Sequence, residues 1–404
     1  MPDSDNIYSP DFAARRDDIL DGLLAGDRVR WFEPIASPEA ATRRETFSPR
    51  AFSGPDHGYW TVARYDDVLE VKRNPTVFSN SETIVYGMTP GTFEWEIGSR
   101  RLSGNDGDYH DVVRRLCGKQ MRPSVLRSYV ETLRAKARSG LDDFEARVRS
   151  GEAVDWVRGF AYMYPVFAVG TLIGLPGDLM DAFAARFASG SPPSDDELTE
   201  AFRDFVAVRA RHPGDDMGSD LVRAAKEGSP YLRLEDLHYN LLGFYLAGHL
   251  TTTHLMAWVM VELQRHPELR IAMRDDHDLI PGFIEEVLRV DPPVVATFNN
   301  VLEDTVLAGR ELRAGDHVFS VYAAANRDPR MFADPARFDL ARSPNPHLAF
   351  SHGTHFCLGA PLARLETRLM LEDLLHRDLP LSVDFEGAAP LQNTFRSLPI
   401  SLGA

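Results

Sequence analysis

Cys357 sits in the most distinctive stretch of the sequence, Phe350-Ser-His-Gly-Thr-His-Phe-Cys-Leu-Gly-Ala-Pro-Leu-Ala-Arg364, a lone cysteine on a glycine-flanked loop directly ahead of a helix. Unbonded N–H groups and the positive helix end favour thiolate over thiol there, so the residue is poised to ligate a metal. Two other readings stand beside that one. A lone cysteine is commonly a small buried hydrophobe, and His352, His355 and Cys357 could together chelate a small metal ion. The glycines and a phenylalanine crowd the sulfur as if a flat, apolar group were to lie across it.

Three further constellations could do chemistry. Glu286 and Arg289 are at i, i+3 in FIEEVLRV, among Phe283, Ile284, Val287 and Leu288, where a charge-assisted pair can form and be partly buried with a further partner. Most such pairs are solvated contacts worth little. His110 and Arg114, at i, i+4, offer two donors to an anion from one helix face, unless that face is merely exposed. Ala247-Gly248-His249-Leu250-Thr251-Thr252-Thr253 is a poor choice for mid-helix propensity. Its small residues allow close approach of a bound group, and a threonine hydroxyl can bond back to the i−4 carbonyl.

These residues need elements to hold them. Residues 58–65 alternate as a short strand, and 66–73 follow as a brief helix. Residues 78–108 form a long irregular segment rich in Gly, Ser, Thr and aromatics, the kind that serves as a binding loop. From 109 to about 211 the spacing is helical, broken at Gly118, Pro123, Gly151, Leu175-Pro176-Gly177 and the 190–193 cluster. Residues 234–266 read as one helix of about thirty residues through the protein's centre. Short strands fill 294–321, an irregular stretch runs over 326–350, and a helix covers about 360–376. The fold class is therefore mainly α with small β-sheets, not a βαβ series. The chain is expected to be a single domain over 1–404, β-rich at about 30–80 and 294–325 and helical at about 109–290 and 360–376.

Composition narrows the field. With 404 residues, 44% hydrophobic and 26% charged, the chain is an ordinary globular protein rather than a disordered, collagenous or disulfide-built one. Its two cysteines, Cys117 and Cys357, give neither a disulfide framework nor a cysteine-rich zinc site. A net charge of −16 argues against wholesale binding to nucleic acid or anionic lipid. No leader pattern and no uninterrupted apolar run of membrane length is present, so a cytoplasmic protein away from membranes is expected. Only four lysines occur, Lys72, Lys119, Lys136 and Lys226, read here as a compositional bias.

Taken in order, the motifs resemble those of the cytochromes P450, the haem-thiolate monooxygenases, over nearly the whole chain. The family's cysteine loop is matched by Phe350, Gly353, His355, Cys357 and Gly359, its Glu-x-x-Arg by Glu286 and Arg289, and its later arginine by Arg337. The resemblance implies the family's single-domain fold, with a long central helix over haem b. It makes Cys357 the axial iron ligand, and His110, Arg114 and His355 donors to the haem propionates. Ala247 and Gly248 match the oxygen-binding segment, with Thr251 stabilising and protonating dioxygen. Glu286, Arg289 and Arg337 become a structural lock. Softer carry-over places the 79–102 loop, Leu246, Leu250, Val294, Val295, Thr297, Phe298 and the 393–395 turn with Phe395 around the substrate.

Three departures stand out. Leu250 occupies the usual acidic position before the threonine and cannot relay a proton, leaving His249, Thr252, water or a substrate group to substitute. Asn299 stands where a propionate-binding arginine is expected. Ser351 replaces the first glycine of the cysteine loop. The segment from 175 to 216 also looks short for the family's lid helices, which suits a bulky or carrier-presented substrate or simply reflects trimmed helices.

The implied activity is insertion of one oxygen atom from O2, by hydroxylation or epoxidation, into a hydrophobic or amphipathic small molecule of bacterial secondary metabolism. Electrons are expected from NAD(P)H through a ferredoxin reductase and a ferredoxin, docking near Arg115, Lys119, Arg122 and Arg368, with the enzyme a monomer. The alternatives are another oxidation of the same family (desaturation, oxidative coupling, peroxide use) or a non-catalytic haem sensor.

Overall fold

A computed structural model describes residues 12–32, 58–80, 102–391 and 394–403. The chain divides into two compact units. The first comprises residues up to His110, Leu288–Phe338 and Ser343–Cys357, and the second Asp111–Val287, Asp339–Arg342 and Leu358–Ala404.

A five-stranded sheet organises the first unit, in the order Arg30–Phe32, Tyr59–Val62, His317–Val321, Ala296–Val301, Phe78–Ser79. Its strands are antiparallel except where Tyr59–Val62 pairs with His317–Val321. Phe298 stacks on Phe319 with ring centres 4.3 Å apart and meets Tyr59 edge-on at 5.5 Å. Because side chains alternate along a strand, Thr297 and Asn299 share the opposite face. The helix Tyr65–Arg73 follows the second strand as the sequence predicts. Its Val68 and Val71 join Phe78 and Val318 in one apolar cluster.

The second unit is helical, and its longest helix is Leu237–Arg265, 29 residues. The expected start at 234 resolves into a 3-10 turn, Leu234–Asp236, ahead of that helix. The far end is set locally: His266 N–H closes on Glu262 O at 3.0 Å, and Pro267, unable to donate, opens the next helix, Pro267–Asp275. Trp156, fully buried, donates from its indole to Met256 O at 3.1 Å. The candidate lid helices are Gly177–Ala188 and Asp195–Arg211, the latter begun by a capping box between Ser194 and Glu197. A three-stranded sheet and a two-stranded one complete the unit, in strands of two to four residues from Val154 and from the segment after Leu381. Among the described residues no helix is long and apolar enough to cross a membrane.

Candidate active site

The cysteine loop belongs to the first unit. Cys357 N–H donates to Phe350 O at 2.8 Å and Phe356 N–H to Gly353 O at 3.0 Å, closing the loop round a single 3-10 turn. Cys357 is exposed and Cys117 buried, neither in a disulfide. The buried-hydrophobe reading thus describes Cys117, not Cys357. Gly353 has φ +71°, and a Cβ there would lie 2.4 Å from Lys72 O, so the loop presses on the helix Tyr65–Arg73 too closely for any side chain. Ser351 takes φ +61°, a conformation costing a non-glycine residue about 1 kcal/mol. Its hydroxyl is 2.9 Å from Tyr322 OH, itself 2.6 Å from Thr297 Oγ1.

His355 Nε2 donates to Asp106 Oδ1 at 2.6 Å, and the His110 ring, fully buried, lies 4.3 Å from the His355 ring. Asp106 also accepts from Ser79 Oγ and from Asn80 N–H. Burial alone would raise the Asp106 carboxyl, but these hydrogen bonds outweigh it and hold the group below its ordinary value. His352 Nε2 instead accepts from Arg73 Nε at 3.2 Å. No trio of His, Cys, Asp or Glu able to hold a metal ion occurs among the described residues, so the small-metal reading of His352, His355 and Cys357 finds no support.

Asn299 donates through Nδ2 to Phe78 O at 3.2 Å and to Asn80 Oδ1 at 2.6 Å. Its Oδ1 accepts from the Lys72 ammonium, which also donates to Thr297 Oγ1 at 2.8 Å. The sequence reading passed over Lys72, whose signal was a lysine amid the apolar positions of a short helix.

In the second unit, Ala247 is exposed and Thr251 half-buried on a helix otherwise largely buried. Thr251 Oγ1 donates to Ala247 O at 2.7 Å, the i−4 back-bond its position suggests. Gly248 is required by packing, since a Cβ would sit 2.8 Å from a Val169 methyl. His249 is enclosed by aromatic rings: Phe187 at 4.5 Å, Tyr162 at 5.4 Å and Tyr245 at 6.0 Å. Neither of its nitrogens has a hydrogen-bond partner, and burial lowers its pKa to about 3. Thr252 is buried and hydrogen-bonds Glu366, a residue the sequence reading missed because it sits between Arg364 and Arg368 like an ordinary charged position of a helix, LARLETRLML. Burial pushes the Glu366 carboxyl well above its ordinary value, the Thr252 bond offsetting this only in part, and its Oε2 has no hydrogen-bond partner.

The remaining candidates separate by environment. Glu286 accepts from Asp339 N–H at 2.9 Å and Arg342 Nε at 3.1 Å, making Arg342 a partner the sequence reading did not name. Arg289, fully buried, donates to the carbonyls of Asn326, Pro335 and Arg337, so the part of Arg337 seen in the lock is its main chain. Val295 and Phe298 lie in the hydrophobic core of their unit, and strand alternation turns Phe298 away from Thr297. Val294 is partly buried against a neighbouring cluster. Leu246 is buried, Leu250 half-buried, and Phe395 packs edge-on to Trp258 at 5.2 Å. Arg114 is one turn from His110 on the helix Gly107–Gly118, and Gly359 caps the helix Ala360–His376. Most of the 79–102 loop, residues 81–101, and Asn393 lie outside the described residues.

The donor set fits haem. An exposed thiol on a rigid loop supplies an iron ligand, and the buried Lys72 ammonium, whose contacts are all to neutral oxygens, suits an anionic group such as a haem carboxylate. Comparison with known proteins agrees. The family model described as cytochrome P450 matches residues 207–378. The chain is 32% identical to cyclomarin C epoxidase CymV of Salinispora arenicola, covering 79% of this chain and 83% of that one. It is 34% identical to the erythromycin C-12 hydroxylase of Saccharopolyspora erythraea, covering 81% and 84%. Among solved structures it is similar to P450BioI in complex with an acyl carrier protein ligated to hexadec-9Z-enoic acid, at TM-score 0.77 and 25% identity, covering 98% and 100%.

Proposed function

The chain belongs to the cytochrome P450 family, a haem-thiolate monooxygenase by its relatives, and on that premise we propose that it tailors a hydrophobic or amphipathic bacterial secondary metabolite by hydroxylation or epoxidation. The observation that carries the reading is the exposed Cys357, fixed by its N–H bond to Phe350 at the end of a closed loop. Haem held there supplies an oxidant able to attack C–H and C=C bonds, because a thiolate ligand favours O–O cleavage. Cys357 is the iron ligand, and His110, Arg114 and His355 are donors to the haem carboxylates. The reaction class follows the named activities of the two relatives, an epoxidase and a hydroxylase.

Proton delivery cannot use Leu250, and His249 is a poor candidate because its aromatic enclosure keeps the imidazole neutral. Thr251 presents its oxygen on the half-exposed face of the central helix. Thr252, next to it, contacts a carboxyl whose protonated form burial favours, which suits Glu366 to hold the proton that the missing acid would have supplied. The small, exposed Ala247, one turn before Thr251, leaves room beside it for a bound group.

Electrons come from NAD(P)H through a ferredoxin and its reductase. Lys119 and Arg368 are already paired with Asp220 and Glu372, whereas Arg115 and Arg122 are exposed and make no ion pair among the described residues. They are the stronger docking candidates. A protein-borne substrate is a second reading, favoured by the carrier-bound state of P450BioI.

The test is the carbon monoxide difference spectrum of the dithionite-reduced protein and of Cys357→Ser, followed by oxygen consumption and product formation with ferredoxin and reductase. A strongly red-shifted Soret band in the parent, absent in the variant, supports thiolate ligation. A band at the ordinary position in the parent would shift the reading to a non-catalytic haem protein.

A further inference from the structure

We propose that Lys72 binds one carboxylate of the haem, restoring from the helix Tyr65–Arg73 the cation that Asn299 does not provide from its strand. This rests on the haem-thiolate reading.

The first ground is an unmatched charge. Lys72 is buried to 6% exposure, and its ammonium contacts Thr297 Oγ1, Asn299 Oδ1 and the face of Tyr322, with Nζ 5.4 Å from that ring centre. No carboxylate lies within ion-pair distance of it among the described residues. Other buried charges of the same unit are compensated: Asp67 by Arg28, Asp291 by Arg16, and Arg289 by three carbonyls. A buried ammonium held only by neutral oxygens is costly and calls for an anion. Burial lowers its pKa, which an incoming carboxylate would reverse.

The second ground is position. Lys72 O is the atom that forbids a side chain at Gly353, so this residue's own backbone abuts the cysteine loop. Its side chain ends on Asn299 and Thr297, and Thr297 reaches Ser351 of the same loop through Tyr322 OH. The ammonium therefore stands in one polar cluster with the loop that presents the iron ligand. His355, another donor of that loop, is already opposed by the Asp106 carboxylate, which weakens it as a lone counter-charge. The family resemblance calls for an arginine at Asn299. Lys72 supplies a cation from the helix instead, and Asn299 accepts from it.

The experiment compares the parent with Lys72→Met, reconstituted either with haem or with haem dimethyl ester, whose carboxylates are blocked. Haem loss is followed by transfer to an excess of a scavenging apoglobin, and folding by far-ultraviolet circular dichroism. With haem, Lys72→Met should lose cofactor at least ~10-fold faster than the parent, the scale of one charged hydrogen bond. With the diester the two should release at the same rate. Moving the charge back, in a Lys72→Leu/Asn299→Arg double variant, should restore slow release of haem but not of the diester. Equal release of ordinary haem by parent and Lys72→Met would overturn the proposal, as would an acceleration of the same size with the diester, which would make Lys72 purely structural. A parent that takes up no haem, or shows no thiolate band with carbon monoxide, would instead defeat the underlying reading.

Discussion

Asp106 and His355, 249 positions apart, meet at 2.6 Å and so tie the cysteine loop to the turn that precedes the His110 helix. Ser79 and Asn80 hold the other carboxylate oxygen. The loop's orientation is thus specified by a carboxylate that no local motif announces.

Asp106→Asn should therefore loosen the loop. The folded carboxyl lies below the 3.8 of an ordinary aspartate, so it stabilises the fold above about pH 4, and that contribution fades as pH falls through the folded value. The variant should be less stable than the parent by ~1 kcal/mol at pH 7, and the gap should narrow as the pH is lowered below 4, read by urea unfolding across that range. An equal deficit across the range would show that charge is not the cause.

Glu366→Gln keeps the shape and one donor but cannot pass on a proton. Product formed per NAD(P)H consumed should fall several-fold, the electrons being diverted to peroxide, while the carbon monoxide spectrum stays unchanged. Thr252→Val should reproduce the defect, and the double variant should be no worse than either single one, because the two groups act as a unit. Full coupling in Glu366→Gln would remove it from proton delivery.

His249→Phe tests the aromatic enclosure. The unfolded imidazole protonates near 6.5 and the folded one only near 3, so between those values acid favours unfolding and stability rises with pH, levelling off above 6.5. Removing the group should flatten this acid limb by up to ~1.4 kcal/mol per pH unit, followed by thermal melting from pH 4 to 7. At pH 7 the variant should be at least as stable as the parent, since it relieves two unbonded buried nitrogens. An unchanged acid limb would mean that His249 is solvated.

Charge reversal sorts the docking face. Arg115→Glu with Arg122→Glu should raise the KM for ferredoxin about tenfold at low salt and weaken its ionic-strength dependence. Arg368→Glu should act mainly through stability, because Arg368 is bound to Glu372 at 2.6 Å. If the first pair left the salt dependence intact, the docking face lies elsewhere.

Much of the frame could be read from the sequence because it is encoded locally. The central helix is legible in an apolar run without proline that stops at Pro267. The cysteine loop is legible in its glycines and the helix that follows it, and the helix Tyr65–Arg73 in its period. These are properties of neighbouring residues, and backbone sterics and capping act over the same few positions. The C-terminal strands were not legible, since segments of three or four residues carry too few side chains to show alternation. Nor were the pairings that complete the site. Lys72 on its own is one lysine in a short helix and Glu366 one carboxylate in another. What they do depends on Asn299 and Thr252, brought to them by folding from distant parts of the chain. Sequence also left open which way each strand residue points, and the packing of Phe298 on Phe319 and Tyr59 decided it. Burial makes the Lys72 ammonium costly, favours the neutral imidazole of His249 and favours the protonated carboxyl of Glu366, because the cost of a charge is set by the three-dimensional surroundings and not by its neighbours in the chain.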